Sequence, residues 1–156
     1  MPDVLDRMTV LLHSNALDVI RSEAAAAPDG LETGGILLGH IDPVRVTVAG
    51  GPGPGAVRTD SFFLRDLQYS QALAAREAAV SGAQWVGEWH THPTGPPHPS
   101  PTDLSTYQRI QQNPDTGLSG GVLSLIVVPR EIGWLMTAWW CVEGHAFQIA
   151  MENHDS

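Results

Sequence analysis

One stretch, residues 87–103 (GEWHTHPTGPPHPSPTD), constrains the fold more than any other. Five prolines stand between positions 93 and 101, and neither a helix nor a central strand runs through such a segment. The strand-like run before it, 85–92 (WVGEWHTH), must therefore stop at its second histidine. A helix can start again only at its far end, with 102–112 reading as helical. On an extended strand His90 and His92 project from the same face, about 7 Å apart along the backbone. Three of the chain's seven histidines lie between residues 90 and 98, and histidine is the commonest metal ligand.

Composition narrows what surrounds this stretch. A chain of 156 residues and 16.7 kDa has room for one hydrophobic core and one domain, 1–156 with its core at about 8–150. Hydrophobic residues at 42% against 16% charged describe a globular protein rather than a disordered one. A net charge of −9 argues against nucleic acid or an anionic membrane as a partner held by general electrostatics. No apolar run approaches the roughly 20 residues that a bilayer crossing needs. The opening MPDVLDR lacks a basic region followed by an apolar one, so no signal peptide is read there. A single cysteine, Cys141, excludes an internal disulfide framework and points to a reducing, cytoplasmic setting.

Strands and helices are expected to be mixed. Residues 8–13 read as a strand and 16–27 as a helix, with Ser14-Asn15 as its cap and Leu17, Ile20 and Ala24 at helical spacing. Two strands follow at 33–41 and 44–49, turning at Asp42-Pro43, and GGPGPG at 50–55 is a loop. A short strand is expected at 62–64 and a helix from Asp66 to about Ser81, ended by Gly82. The last third reads as three strands, 122–128, 133–142 and 146–151. The fold class this implies is α/β (α+β): a central mixed, mostly antiparallel sheet flanked by helices.

The chemistry-bearing residues each admit an ordinary reading. An H-x-H pair is often two surface histidines. Ser100-Pro101-Thr102-Asp103 also has the form of a plain helix start, with Ser as N-cap, Pro at the first position and an acid in the first turn. Alternatively, the proline-stiffened loop returns Asp103 to the strand end, and His90, His92 and Asp103 leave a fourth position open, as in a catalytic zinc site. His98 competes with Asp103 for the third place. Glu88 shares the strand face of the two histidines and is expected to play a supporting or structural part.

H-x-H-P at 90–93, seven residues between His92 and Ser100, and S-x-x-D at 100–103 together resemble the signature of the JAMM metalloproteases, the JAB/MPN domain family. Upstream, Glu32 opens ETGGILLG (32–39), which is similar to that family's E-x-x-G-x-L-x-G. The resemblance covers about residues 8–150 and implies a single JAB/MPN-like domain. It implies that His90, His92 and Asp103 hold Zn²⁺, that Ser100 hydrogen-bonds the developing oxyanion or the reacting water, and that Glu32 is the general acid/base. Glu23, the rival upstream acid, falls in mid-helix without a glycine-rich strand behind it. The family pattern has no ligand at His98.

The resemblance further implies a peptidase that cleaves an isopeptide or peptide bond after the C-terminus of a ubiquitin-like protein. The chain looks most like the short prokaryotic members associated with bacterial ubiquitin-like conjugation operons, including anti-phage (CBASS-type) systems. The implied partners are a ubiquitin-like protein or its conjugate, together with conjugating-enzyme operon partners. Two other functions stay open: a hydrolase that processes a sulfur-carrier protein, and a non-enzymatic binding scaffold, although the presence of every motif residue argues against the scaffold. The loops at 50–60 and 112–121 are candidates for gripping an extended tail.

Overall fold

The computed structural model describes residues 8–61 and 63–155. The leader reading at residues 1–7 and the Phe62 end of the short expected strand lie outside the described residues. In chain order the elements are β1 (Thr9–His13), α1 (Ser14–Ala26), β2 (Gly34–His40), β3 (Arg45–Ala49), β4 (Val57–Arg58), β5 (Phe63–Leu64), α2 (Leu67–Ser81), β6 (Gln84–Thr91), α3 (Pro101–Gln112), β7 (Val122–Pro129), β8 (Trp134–Val142) and β9 (His145–His154), with a single 3₁₀ turn at Pro114–Thr116.

Seven strands form a closed sheet in the order β1-β3-β2-β6-β7-β8-β9, and β9 pairs back onto β1. The sheet is mixed, as expected. Its closure into a ring is a feature that the sequence reading did not specify. Three of the pairings, β1 with β3, β1 with β9 and β6 with β7, are parallel, and the other four are antiparallel. The β4–β5 hairpin forms a separate two-stranded sheet.

The core fills the ring with Val10, Leu12, Leu37, Val46, Val86, Trp89, Leu123 and Leu125, all buried. Helix α1 closes one side by burying Ala16, Leu17, Ile20 and Ala24 against it. Leu17 and Ile20 contribute about 1.5–3 kcal/mol each on full burial. Trp89 is fully buried and its indole N–H donates to the Gly50 carbonyl at 2.8 Å. A second cluster under α3 gathers Tyr107, Leu118, Val122 and Cys141.

The expected cap of α1 needs correction. The helix starts at Ser14, and His13 stands at the N-cap without a side-chain cap bond. Ser14 Oγ instead donates to Asp155 Oδ1 at 3.1 Å, and Asn15 Nδ2 donates to the Thr47 carbonyl at 3.0 Å. Both side chains are spent on tertiary contacts with β3 and the end of β9. The later helices begin as the residues suggest. Asp66 caps α2, Gly82 ends it in the left-handed region at φ 74°, and Ser100 caps α3.

Candidate metal centre

Strand β6 lies in the middle of the sheet, between β2 and β7. His90 is paired with Gly34 on one side and Ile126 on the other. Alternation then does the sorting. Trp89 enters the core, while Glu88 and His90 face a recess shared with Asp103 and Tyr107 of α3. Gly34 has to be glycine in this register, because a Cβ there would stand 2.2 Å from the Trp89 carbonyl oxygen and 2.8 Å from the His90 Cβ. Thr91 and Thr33 clamp the same two strands: Thr91 N–H donates to the Thr33 carbonyl at 2.8 Å, and Thr33 N–H donates to Thr91 Oγ1 at 2.9 Å.

The proline segment brings α3 back so that three donor atoms meet. His90 Nε2 is 3.0 Å from His92 Nε2, and Asp103 Oδ2 is 3.1 Å from the first and 3.2 Å from the second. Both histidines are buried, at 5% and 7% exposure. Donors on one tetrahedral ion, each about 2.0–2.1 Å from it, lie about 3.3 Å from one another. The triangle of two imidazole nitrogens and a carboxylate oxygen therefore fits a divalent cation, and its donor set suits zinc among others.

Each of these donors is oriented from behind. His92 Nδ1–H donates to the Pro96 carbonyl at 2.8 Å, which turns Nε2 towards the other two donors. Asp103 Oδ2 accepts the Ser100 N–H at 2.8 Å, and Ser100 Oγ accepts the Asp103 N–H at 3.1 Å, a reciprocal capping box. The ordinary reading of Ser100-Pro101-Thr102-Asp103 as a helix start and its reading as part of a site thus describe one arrangement. Two side chains of β8 hold the loop: Thr137 Oγ1 and Trp139 Nε1 donate to the Pro97 carbonyl at 2.6 and 3.2 Å.

Glu32 lies just before β2, with its N–H donating to the Thr59 carbonyl at 2.7 Å. Its carboxylate belongs to a group with His90 and His92 whose donor atoms all lie within 4.8 Å of one another. It is hydrogen-bonded to neither histidine, whereas Asp103 touches both. By that difference Asp103 completes the triangle and Glu32 stands beside it. Burial raises the Glu32 pKa, partly offset by His90 and His92. For Asp103 burial pushes upwards too, but hydrogen bonds from the two histidines outweigh it and hold the carboxyl well below its usual range.

His98 is exposed, its ring edge-on to Trp139 at 6.3 Å, and it makes no hydrogen bond to His90, His92 or Asp103 among the described residues. Cys141 is buried and its thiol is pushed up to about 12 by that burial, which leaves it inert. Of the tryptophans, Trp140 enters the main core and Trp139 packs on the opposite side, with Trp134 more exposed. Sequence reasoning missed the partners that hold the site: Pro96 behind His92, Thr137 and Trp139 behind Pro97, and Arg65, whose Nη1 donates to Glu88 Oε1 at 2.6 Å. None of these pairs carries a local spacing signal except His92 with Pro96.

A cleft of about 600 Å³ lies beside the centre rather than on it, between α2 and α3, with Arg65, Trp85 and Arg109 in its walls. Of the two loops expected near a groove, 112–121 contributes Asn113, Asp115 and Thr116 to this cleft, and 50–60 contributes Asp60 to a second cleft that His92 also lines.

Over residues 13–142 the chain matches the family described as prokaryotic homologs of the JAB domain, and it belongs to that family. Two relatives, from Pseudomonas aeruginosa and Vibrio cholerae, are each named CD-NTase/cGAS isopeptidase. They are 33% and 30% identical over 111 and 108 residues, covering 67% of this chain in both cases and 70% and 65% of theirs. A third of the same name, from Enterobacter hormaechei, is 32% identical over 61% of its own length. The chain also shares its fold with the solution structure of a Desulfitobacterium hafniense protein, at a TM-score of 0.71 and 18% identity, covering 96% of this chain and 94% of that one.

Proposed function

We propose that this protein is a zinc-dependent isopeptidase of the JAMM type, cleaving after the C-terminus of a ubiquitin-like protein, either from a conjugate or from a precursor. The observation that carries this reading is the meeting of His90 Nε2, His92 Nε2 and Asp103 Oδ2 within 3.0–3.2 Å, with the Glu32 carboxylate alongside. The relatives named CD-NTase/cGAS isopeptidase support a conjugate of a CD-NTase-like target as the substrate class; an anti-phage setting with conjugating-enzyme partners is our own extension of that reading. The chain has no lysine, its eight basic residues being arginines. It therefore offers no side-chain amine on which the bond it cleaves could form.

His90, His92 and Asp103 would hold the ion. Bound there, it supplies Lewis acidity, polarising the scissile carbonyl and making water acidic enough to ionise near neutral pH. Glu32 takes the proton from the attacking water and delivers it to the leaving amine, a task suited to a carboxylate whose buried position raises its pKa. Ser100 uses an acceptor lone pair of Oγ for its cap bond, which leaves its O–H to donate to the oxyanion. We read the setting as reducing and cytoplasmic, from the single cysteine of the chain. No helix among the described residues is long and apolar enough to cross a membrane.

The test uses a ubiquitin-like protein joined through its C-terminus to the lysine of a fluorescent peptide. Wild-type protein carrying stoichiometric zinc should release the peptide. Glu32→Gln should keep its zinc and lose about 10²–10⁴ in turnover. Absence of a bound metal, or full turnover in Glu32→Gln, overturns the reading.

A further inference from the structure

The β4–β5 hairpin lies outside the closed sheet, its strands paired with each other through Val57 with Leu64 and Arg58 with Phe63. It nevertheless walls the metal-ligand cluster. Ser61 and Phe63 line a small recess together with Glu32, Glu88, His90 and Asp103, and Asp60 and Ser61 line the adjoining cleft with His92 and Ser100.

Two ties on either side of the hairpin fasten it to the barrel. After β4, the Thr59 carbonyl accepts the Glu32 N–H at 2.7 Å. After β5, Arg65 Nη1 donates to Glu88 Oε1 at 2.6 Å, and its guanidinium lies over the Trp85 ring at 5.1 Å. Glu88 is buried on β6, two residues before His90 and on the same face. The Arg65 side chain is mostly buried as well, at 18% exposure.

A buried ion pair adds little net stability over a well-packed apolar pair of similar size, because desolvation consumes most of the attraction. What such a pair does supply is a fixed geometry between the two elements that carry it. Here those elements are the hairpin and the strand that carries His90. The other tie ends on the backbone of Glu32 itself.

We propose that Arg65 and Glu88 are positioning residues: their ion pair holds the β4–β5 hairpin over the cluster and, through the Thr59 carbonyl, fixes Glu32 relative to His90 and His92. This assignment rests on the reading of Glu32 as the acid/base. Its first consequence can be measured without any substrate.

The test is hydrogen exchange on the zinc-loaded protein, read by mass spectrometry, with kcat and KM on the model isopeptide measured alongside. In Arg65→Met and in Glu88→Gln, amides of residues 57–61, 63 and 64 and of Glu32 should exchange at least about tenfold faster than in wild type. Zinc stoichiometry should not change. The kcat should fall while KM stays near its wild-type value, as expected when a reacting group is displaced without loss of substrate binding. Arg65→Lys keeps a cation against Glu88 and should restore both slow exchange and most of kcat. Wild-type exchange at the hairpin and Glu32 in Arg65→Met overturns the proposal, whatever the activity. Faster exchange with an unchanged kcat overturns its catalytic half. If wild-type protein shows no turnover, the isopeptidase reading fails, and the exchange result still decides whether the pair anchors the hairpin.

Discussion

The carbonyl of Pro96 accepts the Nδ1–H of His92 at 2.8 Å, so a backbone atom of the proline segment selects the tautomer that presents His92 Nε2 to His90 and Asp103. Sequence spacing placed the prolines as a stiff return. The structure gives them a second task, since the loop that brings Asp103 back also orients the His92 ring.

Metal binding should therefore be linked to protons. Burial pulls the His92 pKa down, but hydrogen bonds to Asp103 and to Pro96 outweigh it and leave the pKa above its ordinary 6.5. Above that raised value Nε2 is bare and affinity is full. Below it a proton must leave first, and affinity should fall by about tenfold per pH unit. Calorimetry in buffers of different ionisation enthalpy should find proton release rising towards one per zinc ion as pH is taken below that value, and falling away above it. Asp103→Asn should weaken zinc by more than the about 10–100-fold typical of losing an outer partner, and His98→Ala should leave it unchanged.

Gly34→Ala should loosen the join between β2 and β6. The new methyl would meet the Trp89 carbonyl oxygen and the His90 Cβ, and forcing the strands apart costs about 1–3 kcal/mol. Gly120→Ala, where an added Cβ meets nothing within 4 Å, should be close to neutral. Urea unfolding compares the two, and zinc affinity should fall only in the first.

Tyr107 Oη and Ser124 Oγ form a buried hydroxyl pair at 2.8 Å behind the recess. Tyr107→Phe leaves Ser124 without that partner, at about 1–3 kcal/mol. Adding Ser124→Ala should recover part of the loss, and a double-mutant cycle on urea midpoints measures that coupling.

Asp66 should mark acid stability. The N–H groups of Tyr69 and Gly55 hold its carboxyl below the ordinary value. Its contribution is then fully present above its unfolded pKa of about 3.9 and is lost as pH falls through the lowered folded value. Asp66→Asn should lower Tm at neutral pH, and the difference from wild type should shrink in acid.

The parts of the molecule that were legible in the sequence are those with a local cause. Period-two alternation puts His90 and His92 on one face, the prolines end β6, and Asp66, Gly82 and Ser100 punctuate the helices. Glu32 was reachable through its glycine-rich motif, and Gly34 shows the physical content of that motif. What could not be read depends on distant pairings. The two parallel partners of β1 lie on β3 and β9, and nothing in residues 8–13 announces them. Arg65 and Glu88 stand 23 positions apart, and Pro97 and Thr137 stand 40 apart. Ser14 looked like a cap because its competing use, a bond to Asp155, comes from the other end of the described chain.

Closure of the sheet has a consequence for what can add to it. A strand bordered on both sides has few backbone amides left over, and in a ring every strand has two neighbours. Among the described residues, the strands that keep an open side are β4 and β5, each paired only to the other. Intermolecular strand pairing, wanted or unwanted, is thereby steered away from the body of the protein and towards the hairpin that borders Glu32 and the histidines.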